Sequence, residues 1–166
     1  MIFFLEAVTL CLLFTLMVVP SLLKNPLSWI SDYPPAIQER AKALGLISGE
    51  QKRLPASVIV RKAAGCLLFA AVLALALTFL NGAQTFRDGF LLSYGLWLIL
   101  DWYDALVLDC LFFCHSKRGI LPGTEDMKDA YHDFAFHIKM SVIGMFLGLP
   151  VCVLTGLAVK GLQLLL

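Results

Sequence analysis

Residues 57–80 read SVIVRKAAGCLLFAAVLALALTFL. A bilayer crossing takes about 20 apolar residues, and this run is long enough. Three more stretches are comparable, at residues 2–23, 86–113 and 137–165. The whole chain of 166 residues is 60% hydrophobic and only 15% charged, with a mean hydropathy of +0.84. Soluble domains carry about a quarter charged residues. The expectation is an all-α polytopic membrane protein, with four transmembrane helices in one bundle and a single domain over residues 1–166.

Residues 1–24, MIFFLEAVTLCLLFTLMVVPSLLK, have neither a basic leading segment nor a small-residue cleavage site. They read as an uncleaved span rather than a signal peptide. The formal charge of +1 gives no electrostatic case for a nucleic-acid partner. Cys11, Cys66 and Cys152 sit in apolar runs, and the odd total of five cysteines argues against a disulfide framework.

Most of the charge lies in two loops, residues 24–56 and 114–136. The first loop and its edges hold Lys24, Arg40, Lys42, Lys52, Arg53, Arg61 and Lys62. The second and its edges hold Lys117, Arg118, Lys128 and Lys139. Only Arg87 and Lys160 mark the opposite side. The positive-inside rule puts both loops in the cytosol and both termini outside. Within the first loop a short helix is expected from Pro35 to Gly45, capped by Ser31 or Asp32. Ile37, Ala41 and Leu44 share one face, and Gln38, Glu39, Arg40 and Lys42 the other. That pattern predicts an amphipathic helix on the membrane surface, with Trp29 and Tyr33 at headgroup level. In the second loop Thr124 is placed to cap a helix whose first turn holds Glu125 and Asp126. That helix starts in water and enters the membrane near His137.

Residues 100–119, LDWYDALVLDCLFFCHSKRG, carry Asp101, Asp104 and Asp109 into an apolar run. Counting inward from Arg87 at 1.5 Å per residue, they lie roughly 20, 25 and 33 Å along the helix. Asp101 and Asp104 then fall in the cytosolic third of a core about 30 Å thick, with Asp109 and His115 near its inner interface. At about 100° per residue, Tyr94, Trp97, Asp101, Asp104, Leu108 and His115 cluster on one side. Asp109 points away from them. Charge facing lipid is costly, so the acidic face should meet the protein interior or a wet cavity.

The fourth helix adds Asp129, Asp133 and His137 on one face, by the i, i+4 rule. Asp133 and His137 are spaced to hold a divalent metal ion. His132 and Lys139 share another face. The inner interface thus gathers Asp104, Asp109, His115, His132, Asp133, His137, Lys139, Arg61 and Lys62. Cys110 and Cys114 are one turn apart and read as packing thiols. Gly144 and Gly148 form a small-xxx-small strip that admits a neighbouring helix, and Pro150 should kink the span.

The expected function is a membrane-embedded enzyme or binding site for a lipid-like or amphiphilic substrate. Asp101, Asp104, His115 and His137 are its candidate acid/base groups. Tyr94, Trp97, Arg61 and Lys139 are its substrate contacts, and membrane lipid is its partner. A small proton- or cation-coupled transporter built on Asp101, Asp104 and the surrounding aromatic rings is an alternative. So is an accessory subunit of a membrane complex, or a homo-oligomer. Residues 1–166 contain no G-x-S-x-G, H-E-x-x-H or P-loop pattern.

Overall fold

The structure, a computed structural model, describes residues 1–48 and 55–165. Lys52 and Arg53, part of the charge argument, lie outside the described residues. The described residues are helical and contain no strand. In chain order they form α1 (Ile2–Lys24), a 3₁₀ segment (Pro26–Asp32), α2 (Pro35–Ala43), α3 (Ala56–Asn81) and α4 (Phe86–Tyr103). A π-helical stretch (Asp104–Phe113) and a short 3₁₀ turn (Lys117–Gly119) follow. The chain then forms α5 (Lys128–Tyr131), α6 (Phe134–Leu147) and α7 (Leu149–Leu162).

Three helical stretches are long and apolar enough to cross a membrane: Ile2–Lys24, Ala56–Asn81 and Lys128–Leu162. Large apolar side chains stand exposed along them, among them Leu16, Leu68, Phe79 and Phe146. An exposed apolar surface of this extent fits contact with lipid. The stretch 86–113 differs from the other three. Its α-helical part has 18 residues and includes Arg87, Asp88 and Asp101, and the remainder is wound as a π-helix.

The residues pack as two compact units. The first comprises the described parts of residues 1–8, 52–101 and 143–166. In it α3 packs along α7. Asn81 donates to both carboxylate oxygens of Glu6, at 2.8 Å each. Thr85 and Asp88 cap α4 reciprocally. The Asp88 N–H donates to Thr85 Oγ1 at 3.1 Å, and the Thr85 N–H donates to Asp88 Oδ2 at 3.0 Å.

The Gly144–Gly148 strip does admit a helix, namely α4. The Trp97 indole N–H donates to the Gly144 carbonyl at 3.0 Å. A Cβ built on Gly148 would collide with that indole, and one on Gly144 would collide with the Asp101 carboxylate. α6 and α7 meet at Gly148, which keeps right-handed helical angles (φ −74°, ψ −22°), and Pro150 sits in the first turn of α7. Proline has no N–H, so the ladder lacks one bond at this junction.

The second unit comprises residues 9–51 and 102–142 in their described parts. Its core joins Leu22, Tyr33, Ile37, Ala41, Phe113, Cys114, Leu121 and Tyr131. Tyr33 is fully buried, and its hydroxyl donates to the Gly119 carbonyl at 2.8 Å. α2 ends at Gly45 in the left-handed conformation, φ 71°. The Gly45 N–H bonds Lys42 O and the Leu46 N–H bonds Ala41 O, which is a Schellman ending.

Several expectations change here. Pro34, not Ser31 or Asp32, precedes α2, and no side-chain bond caps it. Pro35 has no N–H to cap. Ile37 and Ala41 are fully buried in the protein core, so the apolar face of α2 is covered by protein; only Leu44 remains exposed. Thr124 does not begin a long helix. Its hydroxyl donates to the Leu121 carbonyl at 2.7 Å and accepts from the Tyr131 hydroxyl at 2.6 Å. The Leu121 N–H in turn donates to that tyrosine oxygen at 2.9 Å. This closed ring of bonds holds the loop, and α5 is a single turn.

Two substitutions test this packing. Tyr33→Phe should cost about 1–3 kcal/mol, because it leaves the Gly119 carbonyl without its buried donor. Gly148→Ala should cost about 1–3 kcal/mol through overlap with Trp97. Denaturant titration of the purified protein measures both, and wild-type stability in either variant contradicts the corresponding contact.

Candidate functional site

The site begins with an irregularity in winding. From Asp104 to Phe113 the backbone closes wider rings, as in the Cys114 N–H to Asp109 carbonyl bond at 2.9 Å. Each residue then advances by less than the 100° of an α-helix, and π segments recur at functional sites. A projection at constant 100° therefore fails beyond Asp104.

Asp109 Oδ2 lies 3.1 Å from His137 Nδ1. His137 projects from the first turn of α6 and is 2% exposed, while Asp109 keeps 33% of its side chain exposed. The neighbour of Nδ1 is a carboxylate, so Nδ1 carries the proton and donates it. The other ring nitrogen, Nε2, is buried and has no hydrogen-bond partner among the described residues. Phe113 and Phe136 wall the ring in edge-on geometry, at 5.9 and 5.3 Å between centroids. A buried polar atom without a partner forfeits about 1–3 kcal/mol, so such atoms are rare in folded proteins.

A second carboxylate acts on this pair. Asp32 ends the 3₁₀ segment, and Ser31 Oγ donates to its Oδ1 at 3.4 Å. Crowding by surrounding protein holds the Asp32 carboxyl above the usual carboxylate range, although the residue still reaches solvent. The Ser31 bond opposes this shift, Asp109 adds to it by repulsion, and His137 opposes it by attraction. Burial pushes the Cys114 thiol up to about 12, with Cys110, Asp109 and Asp133 adding in the same direction. Burial, then Tyr131 and Asp32, likewise raise the Tyr33 hydroxyl. The His137 ring is thus buried, and the charged groups beside it, Asp109 at 33% exposure and the exposed Asp32, are negative.

The other expected site residues fall elsewhere. Asp101 lies against Gly144, Trp97 covers Gly148, and Tyr94 stacks with Phe90 at 6.0 Å. Asp104 opens the π segment and is half-buried. Arg61 on α3 and Lys139 on α6 are exposed. His115 donates from Nδ1 to the Cys110 carbonyl at 3.1 Å and meets His132 edge-on at 5.2 Å. Asp133 accepts the Phe136 N–H at 3.0 Å, so its carboxylate caps α6. Among the described residues no group of three or more His, Cys, Asp or Glu side chains converges to hold a metal ion.

Asp109 and Asp32 are the residues that sequence reasoning left out of the site. Asp109 was set aside by its angular position, and no residue pattern announces the π winding. Asp32 was read only as a helix cap. No family model, curated protein or solved structure matches this chain.

The raised Asp32 carboxyl has a pH signature. The folded state prefers its protonated form. The contribution of this one group is therefore complete below about pH 4, the ordinary carboxylate value, and is lost as pH rises through the folded value. Asp32→Asn removes the charged form, so it should raise the thermal midpoint at neutral pH. The gain should vanish below about pH 4. A gain that persists into acid, or a loss at neutral pH, contradicts the assignment.

Proposed function

We propose that this chain is a four-span membrane protein with both long loops on the cytosolic side. In this reading Asp109 and His137 form the acid/base centre of an enzyme or binding site for a lipid-like amphiphile. The observation that carries it is the buried, unpartnered Nε2 of His137 beside a carboxylate on Nδ1.

A carboxylate on one imidazole nitrogen fixes the tautomer and leaves the other nitrogen as the base. Nε2 takes the proton of a substrate O–H or N–H, and the electron pair stays on the substrate oxygen or nitrogen. Asp109 then neutralises the imidazolium, and Asp32 adds to that field. The location favours an amphiphile. By residue count the pair lies near the inner interface, where a headgroup and the start of an acyl chain meet. The phenyl walls suit the apolar part of such a molecule. Nothing observed favours the transporter or accessory-subunit readings over this one.

The test uses the full chain in proteoliposomes made from a total membrane lipid extract, analysed by mass spectrometry. A lipid species should be consumed or formed by wild type. His137→Gln should lower the rate by about 10²–10⁴-fold, the usual worth of a general base. Asp109→Asn should lower it in the same direction. An unchanged lipid profile, with no lipid retained in a His137-dependent way on purification, overturns the reading.

A further inference from the structure

The charge balance around His137 restricts what can occupy it, if the acid/base reading above holds. Asp109 is in hydrogen-bond contact with the ring at 3.1 Å. Asp32 is close enough to interact electrostatically with both members of the pair. Among the described residues, the charged groups that act on Asp32 are Asp109 and His137. Asp109 and Asp133 both act on Cys114, one residue beyond Phe113. The cation of α6, Lys139, is exposed.

With a neutral imidazole, the three groups Asp32, Asp109 and His137 carry two negative charges. With a protonated imidazole they still carry one. A phosphate or carboxylate brought to Nε2 meets repulsion in either state, in surroundings where burial weakens screening. The hydrogen-bond requirement points the same way. Nδ1 holds the proton toward Asp109, so the neutral ring offers a lone pair at Nε2, and a lone pair needs a donor.

We infer that the group this site accepts at His137 Nε2 is a hydrogen-bond donor without negative charge. It is a hydroxyl or a protonated amine at the end of an apolar chain, rather than a phosphate or carboxylate. The hydroxyl and the amine share the donor, and differ in what they ask of Asp32. A protonated amine gains from both carboxylates. A hydroxyl needs only Nε2. Arg61 and Lys139, which the sequence offers as headgroup contacts, then have no part in holding the reacting group.

The experiment measures equilibrium retention of labelled octadecylamine, octadecanol and octadecyl phosphate by the full chain in phosphatidylcholine nanodiscs. Wild type should bind the amine or the alcohol, and His137→Phe should weaken that binding roughly tenfold or more, as expected for loss of a buried hydrogen bond. Octadecyl phosphate should be retained equally by both proteins. Asp32→Asn leaves His137 in place and serves if His137→Phe does not fold. It should weaken the amine several-fold and spare the alcohol, and should not weaken the phosphate. The inference is overturned if octadecyl phosphate is retained in a His137-dependent way, or is weakened by Asp32→Asn. It is also overturned if neither amine nor alcohol is retained better by wild type than by His137→Phe. Lipid conversion that persists beside either result leaves the acid/base reading standing. Loss of lipid conversion as well removes both.

Discussion

The hydroxyl of Tyr33 reaches across 86 residues of sequence to the Gly119 carbonyl, and the geometry of the second unit depends on that bond. The ring of Tyr33 is fully buried. Its faces and edges meet Phe113 at 4.7 Å and Tyr131 at 6.0 Å. Phe113 in turn borders His137. One aromatic side chain thus links the first loop, the end of the π segment and the second loop to the wall of the histidine. Buried aromatics supply large contact areas with preferred edge-on geometry, which is why a single residue can organise three segments. α2 serves the same arrangement. Ile37 and Ala41 complete the core around Tyr33, and the glycine ending at Gly45 lets the chain turn away.

The π winding has a chemical consequence. A regular helix from Phe86 onward would carry Asp109 around by about 100° per residue, away from the face of Asp104. The wider rings between Asp104 and Phe113 bring its carboxylate to Nδ1 of His137. A buried imidazole with one nitrogen committed and the other unpartnered is an expensive arrangement. Folded proteins keep such expense mostly where it serves a ligand or a reaction.

Much of the fold was legible in the sequence because it follows from apolar length and from residues with few conformational choices. The runs of α1 and α3, the glycine stop of α2, the Gly144–Gly148 strip and the helix junction before Pro150 all belong to this class. The apolar face expected of α2 is present but is covered by protein, because an amphipathic pattern does not say whether lipid or protein meets its apolar side. Ile37 and Ala41 met protein. Thr124 has the composition of a helix cap, yet Tyr131 and the Leu121 backbone claim its hydroxyl. Of the Asp109–His137 contact, sequence reasoning singled out one member. His137 stood out by its place at the membrane entry. Its partner Asp109 did not, because constant winding was assumed where the backbone changes pitch.

The central claim is that Asp109 fixes the protonation geometry of His137 and leaves Nε2 as the available nitrogen. The chain has three histidines, which suits selective ¹⁵N labelling in nanodiscs. The ¹⁵N NMR spectrum of neutral His137 should show a protonated Nδ1 and a bare Nε2. In Asp109→Ala the two tautomers should mix. A His137 protonated at Nε2 in the wild type, or a spectrum unmoved by Asp109→Ala, would contradict the account.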